Sequence, residues 1–448
     1  MKRHNVVIIG GGPGGYSAAL HLAKYDYKVI LVEKAHLGGV CLNEGCIPTK
    51  AFLYSIEQNI KANSKLDTWK LAKTCQENLV NRGRENIREE IREQGVELVY
   101  GTAFFTGENE ISIALQDQHE ILKLVFDYCI IATGSLPREL CVEGLEDTIL
   151  YSHELLQIDN FPDDLVIIGG GVIGVEMASI FTAMGCNITI LEKQYDILSC
   201  MDRDIVRAYK RGVQGQGIKI YTDVTIEEIE KKDKGLNCVI KFGDTYEEVK
   251  ADMILAAIGR VPNIGKLDLN IAGIDYNNRG ICVDNEYRTK NKRIFALGDC
   301  IDSAMPKLAH AAEQQAYEVC RIIAGKNYKK SRAIPECCYS HPQMFQVGNT
   351  FGELEKLRDF KWIYRENPIA KLQDDQFGII KMTVNETTHQ ILKIAMAGWH
   401  VSEYSGEAAI IVENGLLVED VAFSVHPHPT VCEEIEKFAR NILDELEG

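Results

Sequence analysis

The chain has 448 residues, of which 46% are hydrophobic and 25% charged, and its formal net charge is −16 at pH 7. This length exceeds what one hydrophobic core supports, so several domains are expected. The acidic balance argues against nucleic acid and anionic membrane surfaces as partners. No apolar stretch approaches the ~20 residues that cross a bilayer, and the 14 cysteines are scattered along the chain. We therefore expect a cytoplasmic protein with mostly reduced thiols and no metal site.

The first predicted elements, over residues 5–34, are a strand, a glycine-rich turn, a helix and a second strand. Gly10, Gly12 and Gly15 have the spacing of a dinucleotide-binding fingerprint. The first glycine is expected to make the tight turn and the second to let a pyrophosphate approach the backbone. The third is expected to bring helix and strand close together. Glu33 ends the second strand, where a carboxylate can hold two ribose hydroxyls.

Two cysteines follow this unit directly. Cys41 and Cys46 are separated by four residues, so they can close a small ring whose strained bridge is readily reduced. Pro48 is well placed to open a helix. Cys46 would then lie at the positive end of that helix, with Lys50 one turn along, and both features stabilise a thiolate. Two buried apolar cysteines near a strand end are the alternative, but the pattern favours a redox-active pair.

A long amphipathic helix is predicted over residues 67–94. Its apolar side chains at helical spacing are expected to share one side and to face the core. These residues are Leu71, Cys75, Leu79, Ile87 and Ile91. We expect no special function for this helix.

Residues 165–193 repeat the first unit. Gly169, Gly171 and Gly174 stand at the same offset from the three glycines of the first copy, as does Glu192 from its acid. A single motif of this kind is a weak signal, because glycine-rich turns are common. Two copies with identical spacing, each between an apolar strand and an Ala-rich helix, indicate two bound dinucleotides.

Two short apolar runs, 127–134 and 252–259, each end at a glycine downstream of one fingerprint. They are expected to form equivalent strands of the two nucleotide-binding domains. One of the two nucleotides must exchange electrons with the thiols, which flavin can do and nicotinamide alone does not.

His428 lies near the C-terminal end of the sequence between two prolines, which restrict the backbone. Glu433 follows about one turn later if Thr430 starts the final helix. A carboxylate there can orient the imidazole as a general base. A surface histidine is the alternative, and His426 is expected to support packing.

Taken in order, these motifs resemble the FAD-dependent pyridine nucleotide–disulfide oxidoreductases over essentially the full length. The matching segments are 10–19, 38–50, 132–135, 169–176, 257–263, 294–299 and 426–430, with Glu433 beyond them. The resemblance implies an α/β fold with two Rossmann-like dinucleotide-binding domains and a C-terminal α+β dimerisation domain. The expected ranges are 1–140 for the FAD domain, 141–265 for the NAD domain, 266–332 for a central domain completing the FAD site, and 333–448 for the interface domain.

By this resemblance the first unit binds FAD and the second binds NAD. Asp299 is expected to bind a flavin ribityl hydroxyl, and Lys50 to lie beside the flavin ring, paired with Glu176. The expected FAD-binding residues are Gly10, Gly12, Gly15, Glu33, Lys34, Gly39, Val40, Lys50, Ala103, Thr133, Gly134, Ser135, Asp299, Leu308 and Ala309. The expected NAD-binding residues are Gly169, Gly171, Gly174, Glu176, Glu192, Val224, Gly259 and Arg260. Glu192 would repel a 2′-phosphate, which favours NAD over NADP.

The resemblance further implies that a homodimer oxidises a protein-bound dihydrolipoyl group and reduces NAD to NADH. The expected catalytic residues are Cys41, Cys46, Lys50, Glu176, His428 and Glu433. His428 would take the substrate proton across the subunit boundary. The substrate thiolate would attack Cys41, expected to be the more exposed sulfur, and Cys46 would leave. The lipoyl group is expected on a separate acyltransferase or carrier protein of a 2-oxoacid dehydrogenase or glycine cleavage complex.

The nearest alternative within the family is an NAD(P)H-dependent reductase of another disulfide, such as glutathione. Glu192 argues against NADPH, and Leu42 and Ile47 around the cysteine pair favour an apolar substrate. A non-catalytic flavoprotein scaffold is the alternative from another class. Such a scaffold would have no need of the two cysteines or of the histidine–glutamate pair.

Overall fold

The computed structural model describes residues 5–58, 64–116, 120–142, 148–232, 235–348 and 356–448. The strands are β1 (Asn5–Ile9), β2 (Lys28–Glu33), β3 (Glu97–Gly107), β4 (Glu110–Leu115), β5 (Ile121–Val125), β6 (Tyr128–Ile131), β7 (Ser135–Pro137), β8 (Ile149–Leu150), β9 (Asp164–Ile168), β10 (Asn187–Leu191), β11 (Ile218–Tyr221), β12 (Val224–Lys231), β13 (Leu236–Phe242), β14 (Thr245–Ala251), β15 (Met253–Ala256), β16 (Arg260–Pro262), β17 (Tyr276–Asn277), β18 (Gly280–Ile281), β19 (Ile294–Ala296), β20 (Glu336–Cys338), β21 (Gln343–Gly348), β22 (Leu357–Ile363), β23 (Ile379–Asn385) and β24 (Ile391–Gly398). The helices are α1 (Pro13–Lys24), α2 (Gly39–Asn43), α3 (Cys46–Glu57), α4 (Lys65–Glu93), α5 (Ser152–Leu155), α6 (Val172–Ala183), α7 (Arg203–Gly212), α8 (Ala309–Ile323), α9 (Pro368–Leu372), α10 (Ser405–Glu413), α11 (Val418–Ala422) and α12 (Glu433–Glu447). Within these described ranges, no helix combines the length and apolarity needed to span a bilayer.

The described chain divides into two compact units. Unit 1 runs to Glu139 and includes Ser152–Gln157 and Gly259–Lys330. Unit 2 comprises Leu140–Tyr151, Ile158–Ile258 and Ser331–Gly448. This division differs from the four consecutive ranges expected from the sequence, because β19, from the stretch expected to be a central domain, pairs in parallel with β6 of the first sheet.

Unit 1 is built on a seven-stranded sheet with the order β19-β6-β1-β2-β3-β4-β5. The pairs from β19 to β3 are parallel, and β4 and β5 continue the sheet as antiparallel strands. The strands β1 and β2 are almost continuously apolar and buried, as expected of parallel strands covered on both faces. Their carboxyl ends carry the first glycine turn and Glu33.

Unit 2 contains a five-stranded parallel sheet with the order β11-β10-β9-β15-β8 and a three-stranded antiparallel sheet, β12-β13-β14. Its C-terminal part is a five-stranded antiparallel sheet, β20-β21-β24-β23-β22, with α10 to α12. The predicted internal repeat is confirmed, because β6 pairs in parallel with β1 and β15 pairs in parallel with β9. The predicted fold class is likewise confirmed.

The long helix α4 corresponds to the predicted helix, but its predicted core face is largely wrong. Leu71 and Leu79 are each 47% exposed, and Cys75 between them is also exposed. The buried stripe near the start of α4 instead contains Trp69 and Gln76. The Trp69 ring lies 4.4 Å from the ring of a phenylalanine on α3. The two stripes have the same helical spacing, and burial of the large tryptophan decides which one faces inward.

A cluster of opposite charges joins the start of α7 to the C-terminal sheet of unit 2. Lys381 Nζ on β23 lies 3.0 Å from Asp202 Oδ2, 3.2 Å from Asp204 Oδ2 and 2.8 Å from Asp359 Oδ2. Asp202 also caps α7 by accepting the Asp204 N–H. Burial opposes ionisation, but hydrogen bonds and nearby lysines hold the pKa of Asp202 and Asp204 below the usual range. Despite burial, the carboxylates raise the pKa of Lys381.

We expect Lys381→Met to lower the free energy of unfolding by about 2 kcal/mol at pH 7, because Asp202 and Asp204 are nearly buried and lose the cation they share, although each keeps one other lysine. A carboxyl group whose pKa is lower in the folded state than in the unfolded state stabilises the fold at pH values above its unfolded-state pKa. This contribution is lost as the pH falls through the folded-state pKa. The deficit of the variant should therefore shrink below about pH 4. Urea unfolding of the wild type and the variant between pH 7 and pH 3.5 measures this deficit. The control is Lys371→Met, which removes an exposed ion pair. A pH-independent deficit would contradict this assignment.

Candidate active site

The first glycine turn leaves no room for side chains at two of its positions. Gly10 has a φ of +106°, and a Cβ there would lie 2.4 Å from the carbonyl oxygen of Ala132. A Cβ at Gly15 would lie 1.8 Å from the carbonyl oxygen of Gly10. The turn therefore needs glycine at the first position for its backbone conformation and at the third for the close approach of α1 to β1.

Gly12 differs, because the space beside it is open. A Cβ there would lie 3.8 Å from Gly39 Cα and would meet no other atom within 4 Å. Gly12 is the N-cap of α1 and no side chain caps that helix end. The N–H groups of the first turn are thus available to an anion, at the positive end of the helix. This cradle fits the pyrophosphate of a dinucleotide.

The second glycine turn reproduces this geometry. Gly169 also has a φ of +106°, and a Cβ there would again lie 2.4 Å from a carbonyl oxygen, that of Ala257. A Cβ at Gly174 would lie 2.1 Å from the oxygen of Gly169, whereas a Cβ at Gly171 would meet nothing within 4 Å. No side chain caps the start of α6. Both glycine turns therefore fit the pyrophosphate of a dinucleotide.

The acid after the second strand of each copy is held in place by two backbone N–H groups. Glu33 accepts hydrogen bonds from Gly11 N (2.7 Å) and from the N–H two residues after itself (2.7 Å). Glu192 accepts from Gly170 N (2.6 Å) and likewise from the N–H two residues later (2.7 Å). Each oxygen has a further lone pair, so both acids are positioned beside the glycine turn to accept from ribose hydroxyls.

A polar chain links the segments after β6, β15 and β19. Ser135 Oγ donates to Asp299 Oδ2 (2.6 Å), and Arg260 donates to Ser135 Oγ (2.7 Å) and to Ser135 O (2.7 Å). Burial lowers the pKa of Arg260, although Asp299 acts in the opposite direction. Arg260, expected in the NAD site, therefore has its described contacts among residues expected to bind FAD.

The structure brings the expected FAD residues together in unit 1. Ala103 lies on β3, Gly39 and Val40 begin α2, and Leu308 and Ala309 begin α8. The expected NAD residues divide between the units. Gly169, Gly171, Gly174, Glu176, Glu192 and Val224 lie in unit 2, and Gly259 and Arg260 lie in unit 1. The predicted ion pair of Lys50 and Glu176 joins residues of different units and stays a prediction.

The two cysteines of the predicted redox pair are adjacent. Their side chains are in hydrogen-bonding contact. Cys46 is the first residue of α3, two residues before the predicted start at Pro48, so it does lie at the positive end of the helix. Lys50 follows one turn later on α3. The hydrogen bond with Cys46, followed by burial, raises the pKa of the Cys41 thiol.

The expectation that Cys41 is the more exposed sulfur is wrong for this structure. Cys46 is exposed and Cys41 is half-buried. Cys46 starts a helix directly after Gly45, which has no side chain to cover it. Cys41 instead lies inside the short helix α2. Exposure in the single chain therefore does not identify the sulfur that a substrate would attack.

A largely apolar groove of about 510 Å³ runs between α3 and α4. Its lining includes Ile47, Lys50 and Tyr54 from α3 and Cys75, Asn78, Leu79 and Arg82 from α4. Ile47, the residue after Cys46 in the chain, is therefore part of the groove wall. The exposed stripe of α4 that sequence analysis assigned to the core forms one of its walls.

Sequence analysis missed two residues near Cys41. Tyr16 Oη donates to Glu313 Oε1 (3.1 Å), and burial followed by the charge of Glu313 raises the pKa of Tyr16. Glu313 also contributes to the raised pKa of Cys41. Tyr16 directly follows the first fingerprint, but Glu313 lies on α8, far away in sequence, so no local pattern could have joined them.

The predicted general base, His428, and its carboxylate partner, Glu433, are in contact within unit 2. Glu433 Oε2 lies 2.9 Å from His428 Nδ1, although α12 begins at Glu433 and not at Thr430 as expected. The His428 side chain is 68% exposed and that of Glu433 is 8% exposed. Burial opposes ionisation of Glu433, but hydrogen bonds to His428 and Lys437 hold its pKa below the usual range. A buried carboxylate thus orients an accessible imidazole, whose Nε2 is directed away from it.

Asn367, which sequence analysis also missed, supports this pair from α9. Its Nδ2 donates to Thr430 O (2.8 Å) and to Glu434 Oε1 (2.8 Å). The Trp362 ring donates to the other oxygen of Glu434 (2.9 Å). These contacts fix the start of α12 and hence Glu433. They join residues more than 60 positions apart in sequence, so no local motif announces them.

A model of the pyridine nucleotide-disulphide oxidoreductases matches residues 4–316, and a model of the dimerisation domain of these enzymes matches residues 334–439. The chain belongs to this family. It is therefore a flavoprotein oxidoreductase whose cofactors are FAD and NAD. The dimerisation domain makes it a homodimer.

Relatives within the family are similar over nearly the full length. A dihydrolipoyl dehydrogenase of Buchnera aphidicola is 33% identical, over 97% of this chain and 95% of the relative. A dihydrolipoyl dehydrogenase of Staphylococcus aureus is 30% identical, over 96% of this chain and 94% of the relative.

Among solved structures, the HOCl-induced flavoprotein disulfide reductase RclA of Escherichia coli has a TM-score of 0.87 at 24% identity, covering 98% of this chain and 99% of that one. LpdA of Mycobacterium tuberculosis has a TM-score of 0.87 at 23% identity, with the same coverage. At these identities the structural likeness shows a shared fold and does not decide between substrates.

Proposed function

We propose that this family member oxidises a dihydrolipoyl group, carried by another protein, to a lipoyl group and reduces NAD to NADH. The contact between the Cys41 and Cys46 thiols at the start of α3 carries the proposal, because such a pair can exchange a disulfide with a dithiol substrate. Relatives named dihydrolipoyl dehydrogenase, at 30–33% identity, support this choice of dithiol.

Two further observations support an apolar dithiol and NAD. Leu42 and Ile47, which flank the cysteine pair in the chain, are apolar and suit the hydrocarbon arm of a lipoyl group better than a charged tripeptide such as glutathione. Glu192 is held at the edge of the second glycine turn by backbone N–H groups. A 2′-phosphate at that place would meet a fixed negative charge, so NADP is disfavoured.

The proton of the first substrate thiol goes to His428 Nε2, because Glu433 occupies Nδ1 and holds the ring in that orientation. The resulting substrate thiolate attacks the sulfur of Cys41 in the Cys41–Cys46 disulfide, forming a mixed disulfide. Cys46 leaves as a thiolate, which the start of α3 and the Lys50 ammonium stabilise. We propose that the histidine acts on the cysteines of the other subunit of the homodimer.

The second substrate thiol then attacks the substrate sulfur of the mixed disulfide and displaces Cys41. Its proton passes to the departing Cys41 sulfur, so the oxidised lipoyl group leaves a Cys41 thiol beside the Cys46 thiolate. This thiol can donate a hydrogen bond to the thiolate, in keeping with the raised pKa of Cys41. When bound, FAD would supply the two-electron acceptor between the reduced cysteine pair and NAD. The cradle at Gly12 and the acid Glu33 hold that cofactor, and the cradle at Gly171 and Glu192 hold the nicotinamide nucleotide.

We further propose that the carrier of the lipoyl group is a separate acyltransferase or carrier protein of a 2-oxoacid dehydrogenase or glycine cleavage complex. We also propose a cytoplasmic location. The cysteines are scattered along a long chain, a pattern typical of compartments where thiols are kept reduced.

The test is the reduction of NAD, and separately of NADP, by the purified FAD-loaded enzyme with free dihydrolipoamide. We expect NADH formation, with NADPH formed at least about a hundredfold more slowly, because of the charge of Glu192. Glu192→Gln should narrow this preference, and Glu227→Gln, at an exposed position of β12, serves as control. Reduction of glutathione disulfide without dihydrolipoamide oxidation would instead assign the enzyme to the disulfide reductases.

A further inference from the structure

The loop before α12 carries the proposed base and has one buried side chain in its first part. Of residues 423–429, all of which the structure describes, His426 alone is not exposed. Val425 before it is 90% exposed, whereas the His426 side chain is only 10% exposed. Thr430, on the other side of the base, is held by Asn367. His428 therefore lies between two anchors, each two residues away.

The first anchor is an imidazole between two carboxylates. His426 Nε2 lies 2.6 Å from Glu407 Oε1 on α10, and Nδ1 lies 3.2 Å from Glu436 Oε2 on α12. The His426 backbone N–H also donates to Glu436 Oε2 (2.8 Å). Carboxylate oxygens only accept hydrogen bonds, so the imidazole, with a nitrogen on each side, can reach both acids at once. Arg440 pairs with Glu436 and offsets part of the negative charge of the two acids.

These contacts tie the loop to the helix that also carries Glu433. Glu436 is 9% exposed and lies in the first turn of α12, three residues after Glu433. His426 thus fixes the loop against the helix end from which Glu433 reaches His428. Packing alone, the role expected for His426 from the sequence, would need neither carboxylate.

We propose that His426 is a positioning residue for the dithiol half-reaction: its bridge between Glu407 and Glu436 holds His428 at the place where it takes the substrate proton. This inference rests on the proposed function, in which His428 is the base. A displacement of about 1 Å in a reacting group can reduce the rate about a hundredfold. A loop anchored at Thr430 alone leaves His428 free to move by that amount.

The test uses the FAD-loaded homodimer with His426→Gln, whose two donors sit on one nitrogen and cannot replace the two separate ring nitrogens that face Glu407 and Glu436. We expect kcat with dihydrolipoamide to fall roughly ten- to hundredfold. NADH oxidation with ferricyanide needs no dithiol base, so it should stay within about twofold of the wild-type rate. Glu407→Gln should give a smaller loss of the same kind, and Glu403→Gln, at an exposed position near α10, should give none.

A double-variant cycle separates positioning from general stability. If His426 acts through His428, then adding His426→Gln to His428→Gln should cause little further loss, because the base is already absent. The inference would be overturned if the losses caused by the two substitutions multiplied in the double variant. It would also be overturned if His426→Gln lowered dihydrolipoamide oxidation and ferricyanide reduction equally, or if its dihydrolipoamide turnover were near native. Near-native turnover of His428→Gln alone would instead overturn the proposed role of the base.

Discussion

Replacing Cys46 by serine is expected to lower dihydrolipoamide oxidation by at least about a thousandfold while FAD stays bound. Serine cannot form the disulfide that the substrate thiolate must attack, so thiol–disulfide exchange cannot begin. The glycine cradle at Gly12 and the acid Glu33 do not involve Cys46, so the visible absorbance of the flavin should persist. Steady-state turnover and the absorbance spectrum together measure both expectations.

The matched control is Cys75→Ser. Cys75 is also an exposed thiol of unit 1, and it lies in the wall of the groove next to α3. It should keep turnover near the wild-type rate, because no step of the proposed reaction uses it. NADH oxidation with ferricyanide should survive in Cys46→Ser, since that transfer bypasses the disulfide. Dihydrolipoamide turnover by Cys46→Ser at a rate near that of Cys75→Ser would refute the assigned role.

The nucleotide-binding cores could be predicted because their signals are local. The three glycines of each fingerprint lie within a single strand–turn–helix unit, and the close contact of Gly15 with Gly10 is made inside that unit. The two copies then supported each other. The equivalence of β6 and β15, which pair with β1 and β9, was predicted from the same repeat. The C-terminal dimerisation domain, in contrast, was expected from the family resemblance.

Predictions that depended on burial did worse. On α4 the stripe containing Leu71 has the same spacing as the stripe containing Trp69, and only packing against α3 selects between them. The relative exposure of Cys41 and Cys46 depends on where two short helices begin. The expected order of exposure accompanied the mechanism that the family resemblance implies, and no local pattern in this sequence determines it.

Contacts that support the site lay beyond the reach of the sequence. Asn367 reaches the start of α12, and Glu407 reaches His426, each from a helix far away in the chain. Such polar contacts have no periodicity and use common residue types. Sequence analysis therefore named the residues proposed to react but not those that hold them in place.

Replacing His428 by glutamine should slow dihydrolipoamide oxidation by about 10²- to 10⁴-fold, the usual contribution of a general base. Glutamine keeps a polar side chain of similar reach but cannot take a proton. An alkyl thiol such as cysteine ionises near pH 8.5 without help, so the deficit should shrink as the pH rises above that value. Turnover between pH 6 and pH 10 measures this change. A deficit of constant size, or near-native rates at pH 7, would remove His428 as the base.

The same variant also tests whether the base acts across the dimer. A heterodimer of one Cys46→Ser subunit and one His428→Gln subunit carries an intact cysteine pair on one chain and an intact histidine on the other. If His428 serves the other subunit, one of the two sites is complete and about half of the native turnover per dimer should return. If each subunit uses its own histidine, neither site is complete and no turnover should return. Two affinity tags on co-expressed chains would isolate the heterodimer, and the two parent homodimers provide the baseline.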